Sequence, residues 1–380
     1  MQVHFIDTSD KLIDICQQLS HSQFLAVDTE FVRQTTYYPI LALIQLCDNH
    51  RIAIIDPLAI NDLSPLLDIL YDKKITKVLH SARQDMEIFY YLKQSVPQSI
   101  FDTQICAALL GYGEQIGYAS LVKQMLQVNL DKSQTRTDWL QRPLSQKQVD
   151  YAADDVRYLA RIYPLQIQKL HDLKRSSWLD KDFQFLSSDK TYAPSPETIW
   201  KKVKGITKLK KRQLAIIKNL AAFREQLALK QNRPRRRVIA DDTLIDLAIN
   251  PPVNLKELQE RQKLSPKFLQ YNGDTLLTLI KQGLNTEESH CPQLPVYQKL
   301  SQDEQALADC LMAIVHLCAK NNNISPQSLC SRKELDALIK GHSKLNVLSG
   351  WRNELIGKQL LQFLAGELQL SYVSGQLLLN

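Results

Sequence analysis

The chain has 380 residues, 44% of them hydrophobic and 23% charged, with a formal net charge of +7. That length exceeds what one hydrophobic core ordinarily serves, so two or three domains are expected, and the composition excludes a disordered or fibrous protein. No apolar run approaches the roughly 20 residues that span a bilayer, and the N-terminal stretch lacks the basic-then-apolar order of a signal peptide, so a cytoplasmic location without membrane contact is expected.

In chain order, strands are expected at 24–27, 41–46, 52–55 and 75–79, and helices at 85–92, 103–110, 118–126 and 145–170. Short β-rich runs alternating with helical patterns make residues 1–170 an α/β domain. The early strands are separated by few residues, which predicts a mixed sheet with an antiparallel portion. Residues 171–207 then break into a polar stretch containing Ala193-Pro194-Ser195-Pro196, expected to be a linker with some local helix.

Beyond it the pattern is helical, at 211–231, 242–248, 255–260, 266–271 and 273–283, and again from near Gln298 at 303–320, 325–329, 332–340 and 350–365. Both sets run as one long helix, a polar turn and several short helices. This order suggests a degenerate duplication, with one all-α domain at 208–288 and another at 296–380.

The positive charge is unevenly placed. Residues 1–170 hold 16 Lys/Arg against 19 Asp/Glu, whereas residues 201–237 hold 14 against the single Glu225. Such a block is either a solvated helix face or a nucleic-acid footprint. The seven cysteines (Cys16, Cys47, Cys106, Cys291, Cys310, Cys318 and Cys330) are scattered and form no C-x-x-C pair, which argues against a disulfide framework or a zinc site.

The chemistry-bearing residues fall in three places. The apolar run from Phe24 ends in Asp28-Thr29-Glu30, where the period of a strand puts Asp28 and Glu30 on one face. Two such acids either face water or share a divalent cation, which removes their mutual repulsion. Asp85 follows Ser81 and Gln84, whose spacing resembles a capping box and places Asp85 in the first turn of a helix; it is either a helix-dipole aspartate or part of the same acidic site. In the third place, Ser145 and Gln148 form a capping box and Leu144 with Val149 a hydrophobic staple, so a helix starts there. Tyr151 and Asp155, at i and i+4, then share a face that Asp154 does not.

Together these pieces resemble the three motifs of the DEDD exonuclease superfamily, in its Tyr-containing branch, and in detail the ribonuclease D family. The motif D-x-E matches Asp28 and Glu30, the second motif's aspartate matches Asp85, and Y-x-x-x-D matches Tyr151 and Asp155. The surrounding Asp28-Thr29-Glu30-Phe31, Thr36-Tyr37-Tyr38-Pro39, Leu43-Ile44-Gln45-Leu46 and Tyr151-Ala152-Ala153-Asp154-Asp155 are similar to the family's own wording. Both helical sets resemble HRDC modules, the first through Asn232-Arg233-Pro234-Arg235-Arg236-Arg237 and Asp241-Asp242-Thr243-Leu244.

The resemblance implies a ribonuclease H-like mixed sheet with flanking helices, and 3′→5′ exonucleolytic hydrolysis of RNA with two divalent ions, Mg²⁺ or Mn²⁺. Asp28, Glu30 and Asp155 would hold the ion that activates the attacking water, Asp28 would bridge to the second ion, and Asp85 would support that one directly or through water. Tyr151 would orient the water, since an unperturbed phenol with a pKa of about 10 is a poor base at neutral pH. Transfer RNA precursors are the implied substrate, with no obligate protein partner. Phe31 and Tyr37 are candidates to stack on terminal bases or are core aromatics. His80 is a structural or substrate-contact residue, and Arg233, Arg235, Arg236 and Arg237 are candidate phosphate contacts. The rivals are a DNA-directed 3′→5′ exonuclease, a catalytically silent RNA-binding scaffold, and a helicase accessory protein, for which no phosphate-binding G-x-x-x-x-G-K-[ST] loop is present.

Overall fold

Three of the expected strands are near-continuous apolar runs, the pattern of strands covered on both faces. The structure, a computed structural model, describes every residue except Lys132, Arg136, Gln262 and 295–298; the expected start of the last domain at 296, and of its helices near Gln298, lies outside the described residues. One sheet contains β1 (Gln2–Ile6), β2 (Phe24–Val32), β3 (Ile40–Cys47), β4 (Arg51–Ile55), β5 (Thr76–Leu79) and β6 (Ile100–Asp102), in the order β1-β4-β3-β2-β5-β6. β3 and β4 are antiparallel, while β4 with β1, β2 with β5, and β5 with β6 are parallel. The mixed sheet matches expectation. The flanking β1 and β6, and helices at Ser9–Leu19 and Ser64–Tyr71, add to the sequence reading.

The helix Gln146–Asp172 packs against β4 and β5. Its buried Ala152, Ala153 and Ala160 let its axis approach the sheet, where Ala26 and Ala42 are equally small and join the same core. Its start is the predicted capping box: the Ser145 hydroxyl accepts from the Gln148 N–H, and Gln148 accepts from the Ser145 N–H at 2.9 Å. Arg142 steadies the segment leading into it, donating to both oxygens of buried Asp56 at 2.5 and 2.8 Å and to the Ala42 carbonyl.

Met1–Glu30, Leu41–Thr191 and Gln298–Asn380 make one compact unit, and Phe31–Ile40 with Tyr192–Tyr297 another. The expected linker at 171–207 is therefore packed structure. Leu179 and Leu186 are buried in the first unit, and Ile199, Trp200, Val203 and Ile206 in the second. The last helical set is likewise no separate body, because Leu311, Ile314, Val315 and Leu360 share one apolar core with Phe101, Leu109 and Leu170. Trp178 stacks on Trp351 at 4.3 Å, and Arg175 donates to the carbonyls of Leu109 and Asn322. Nor is that set wholly α: it ends in an antiparallel hairpin, β7 (Leu370–Val373) with β8 (Gln376–Leu379), turned through Ser374 and Gly375 at positive φ.

In the second unit the expected helices at 266–271 and 273–283 are one helix, Pro266–Leu284. Gly273 does not break it. A Cβ there would lie 2.5 Å from Leu255, so the glycine permits close helix packing instead. Gly283 does the same against Ile216 of the Lys211–Lys230 helix. Among the described residues, no helix is long and apolar enough to cross a membrane.

Candidate active site

The carboxylates singled out from sequence converge at the C-terminal part of β2. Asp28 and Glu30 lie on that strand, and Asp155 arrives from the third turn of the Gln146–Asp172 helix. Ligand atoms from these three all lie within 4.8 Å of one another, a group able to hold a metal ion. Burial, and then the charges of Asp155 and Asp85, push the Asp28 carboxyl far above the ordinary range. Burial with Asp28 and Asp85 raises Glu30 to about 9, and burial with Glu30 and Asp154 raises Asp155. Such a cluster is unfavourable as bare anions and becomes favourable around a hard divalent cation, so the donor set fits one.

Asp85 stands slightly apart from that group. It is buried in the first turn of the Arg83–Lys93 helix, where burial lifts its pKa to about 7 against the pull of the Thr29 hydroxyl, which donates to its Oδ1 at 2.5 Å. The capping box expected from Ser81 and Gln84 does not form. Ser81 is in the left-handed region, at φ 61, and the cap comes from β6: Asp102 accepts from the N–H groups of Ser81 and Ala82 at 3.1 and 2.8 Å. The same carboxylate accepts from Gln104 and Ile105, so one buried side chain starts two helices.

Tyr151 lies one helical turn before Asp155 and donates to it, while Thr135 hydrogen-bonds the Tyr151 hydroxyl. Burial and the Asp155 charge raise its pKa, so it stays protonated at neutral pH. A cleft of about 380 Å³ opens over these groups, lined among others by Asp28, Glu30, His80, Tyr118, Tyr151 and Asp155.

His80 reaches this cleft, yet both ring nitrogens are engaged by protein: Nδ1 meets Thr103 Oγ1 at 2.9 Å and Nε2 the Ile116 carbonyl at 3.0 Å. Gln104 donates to the same carbonyl at 3.1 Å. Of the two readings left open for His80, the structural one has the contacts.

The remaining expected contacts divide by burial. Tyr37 is 4% exposed and donates to Glu225, so it is a core residue in its unit and not available to stack on a base. Arg235 is similarly committed: it grips Glu225 through Nε and Nη2 and donates to the Tyr37 hydroxyl at 3.0 Å. Arg233, Arg236 and Arg237 are exposed, and Phe31, next to Glu30 in the chain, is half-buried.

Sequence reasoning missed Thr29, Asp102, Tyr118 and Thr135. Only Asp102 carried a local signal, an aspartate immediately before the helix Thr103–Leu109.

Residues 3–170 match the family model described as 3′-5′ exonuclease, and residues 213–280 the HRDC domain. The chain is 37% identical to a ribonuclease D of Bartonella henselae, over 94% of this chain and 89% of that one. It is also 37% identical to one of Sphingobium indicum, over 99% and 98%. The crystal structure of Escherichia coli RNase D, described as an exoribonuclease involved in structured RNA processing, superposes with a TM-score of 0.82 at 34% identity, covering 96% of this chain and 99% of that one.

Proposed function

The chain belongs to the ribonuclease D family and is a metal-dependent 3′→5′ exoribonuclease acting on RNA, and on that premise we propose which of its residues perform the reaction. Asp28, Glu30 and Asp155 would hold one divalent ion, and Asp28 with Asp85, directly or through water, would support a second. Mg²⁺ or Mn²⁺ suits an all-oxygen donor set. The chemistry such ions would supply is activation of the attacking water and stabilisation of the leaving oxygen. Tyr151 keeps its proton and orients the water through the hydroxyl that Thr135 and Asp155 already fix.

One observation carries this reading: three carboxylates from a strand and a helix lie within 4.8 Å of one another, each raised by burial and like charge. Natural substrates are RNAs with a free 3′ end, transfer RNA precursors among them, in keeping with the structured-RNA role of the Escherichia coli relative. Arg233, Arg236 and Arg237, within a block of 14 cations against one anion at 201–237, help retain the RNA; Phe31 contacts the terminal base.

The test is a time course on a 5′-labelled transfer RNA precursor bearing a short 3′ extension, in Mg²⁺, Mn²⁺ or chelator, beside Asp28→Asn and a matched DNA. Stepwise 3′ shortening that needs metal and Asp28 is expected. Undiminished turnover by Asp28→Asn would overturn the site, and equal cleavage of DNA would overturn the substrate assignment.

A further inference from the structure

Thr29 occupies an unusual place, between two of the proposed metal-holding acids on one strand. It lines the same cleft as Asp28 and Glu30, and its hydroxyl bonds Asp85, an acid on a different element. Thr29 is 6% and Asp85 8% exposed, so water does not compete for the bond. Oδ1 of Asp85 thus already serves a hydroxyl donor.

That arrangement matters differently to different cations. Ca²⁺ takes six to eight oxygens at about 2.3–2.6 Å and often uses both oxygens of one carboxylate, whereas Mg²⁺ demands a compact octahedron at about 2.0–2.1 Å and takes single oxygens or their waters. A carboxylate whose Oδ1 is committed to a hydroxyl donor offers one good oxygen. It suits the smaller ion and handicaps the larger.

We propose that Thr29 is a metal-selectivity residue: by taking Oδ1 of Asp85 it limits that carboxylate to one-oxygen contact and discriminates against Ca²⁺ in favour of Mg²⁺ and Mn²⁺. The inference rests on the reading that Asp85 serves a metal. Thr29 touches no ion itself and acts through Asp85 as a positioning residue.

The test is calorimetric binding of Ca²⁺ and of Mg²⁺ to the full chain, in the wild type, Thr29→Val, Thr29→Ser and Asp85→Asn, with Ca²⁺ inhibition of Mg²⁺-driven RNA shortening as a second readout. Valine keeps the β-branched shape and removes the donor; serine keeps the donor. The expected result is a Ca²⁺-to-Mg²⁺ affinity ratio raised about tenfold in Thr29→Val, the scale of one hydrogen bond to a charged group. Thr29→Ser should retain the wild-type ratio, and the valine variant should become more sensitive to Ca²⁺.

An unchanged ratio in Thr29→Val, or the same shift in Thr29→Ser, would overturn the proposal while Asp85→Asn still weakens metal binding. If Asp85→Asn binds both ions as the wild type does, the assignment of Asp85 to a metal is what fails, and the inference falls with it.

Discussion

The hydroxyl of Tyr118 donates to the main-chain carbonyl of Asp154 at 2.9 Å, one residue before Asp155. A helix carbonyl that already serves its own ladder thereby gains a second donor from the cleft wall. The bond ties the helix Tyr118–Leu126 to the helix that carries Tyr151 and Asp155. Tyr118→Phe removes only that oxygen. Its expected cost is about 1 kcal/mol of stability. A fall in kcat of about threefold to tenfold, with little change in KM for RNA, is also expected, because small displacements of a reacting group are costly. Single-turnover assays in saturating metal check this, and a variant with wild-type kcat would show that the bond does not position the site.

His80 holds the other end of the same wall. Its ring lies 5.6 Å from that of Tyr118, and its Nε2 faces the Ile116 carbonyl that precedes Gly117 and Tyr118. Burial depresses its pKa, so near neutral pH the ring is uncharged and donates from Nε2. Glutamine can replace that donor and alanine cannot. His80→Ala should lower kcat/KM several-fold and His80→Gln should restore most of it; equal losses in both would assign His80 a direct contact with RNA instead.

The acids on β2, and Tyr151 with Asp155 on the long helix, were legible because each pair is separated by about one period of its own element, two residues in a strand and four in a helix. The capping box at Ser145 was legible for the same reason. Asp85 was found, but its support was not: the Ser81 and Gln84 spacing suggested a local cap, and the real one comes from Asp102, some twenty residues on, by way of β6. Thr29 read as filler within D-x-E because its partner lies 56 residues away. The linker misreading has a similar origin. Leu179, Leu186 and Trp178 are sparse in a polar stretch, and only the three-dimensional core shows that they are covered.

The acidic cluster makes stability depend on pH and metal together. Glu30 is raised to about 9, Asp85 to about 7, and Asp28 and Asp155 are raised as well. Groups with raised pKa bind more protons folded than unfolded, so without metal the protein loses stability as pH climbs from about 4 through those values. A divalent cation replaces the protons and removes the loss. In chelator, Tm should therefore fall between about pH 5 and about pH 9, and added Mg²⁺ should raise it more at the alkaline end. Asp28→Asn should flatten the chelator curve. A Tm in chelator that is level or rising across this range would contradict the cluster's electrostatics.

The arginines at 233–237 should separate into two phenotypes. Glu225 is 4% exposed, and Arg235 is its bidentate partner, with the Tyr37 hydroxyl closing the triangle. Arg235→Ala leaves a buried carboxylate without its cation. Fully buried pairs broken this way cost about 3–5 kcal/mol, but the Arg235 side chain is 30% exposed, and solvent screening brings the expectation to about 2 kcal/mol. Arg224 is a second internal cation, paired with Asp241 at 2.7 Å, and should likewise report on folding. Arg233 and Arg237 are exposed, and Arg236 keeps a 64% exposed side chain even while it contacts Asp241. Replacing Arg233 or Arg237 by alanine should leave Tm nearly unchanged and weaken RNA binding. Each lost phosphate contact should also reduce the slope of log affinity against log salt by about 0.7. Thermal unfolding and salt-dependent RNA titration of the same variants decide it, and an Arg235→Ala that weakened RNA binding at unchanged Tm would return that residue to the substrate surface.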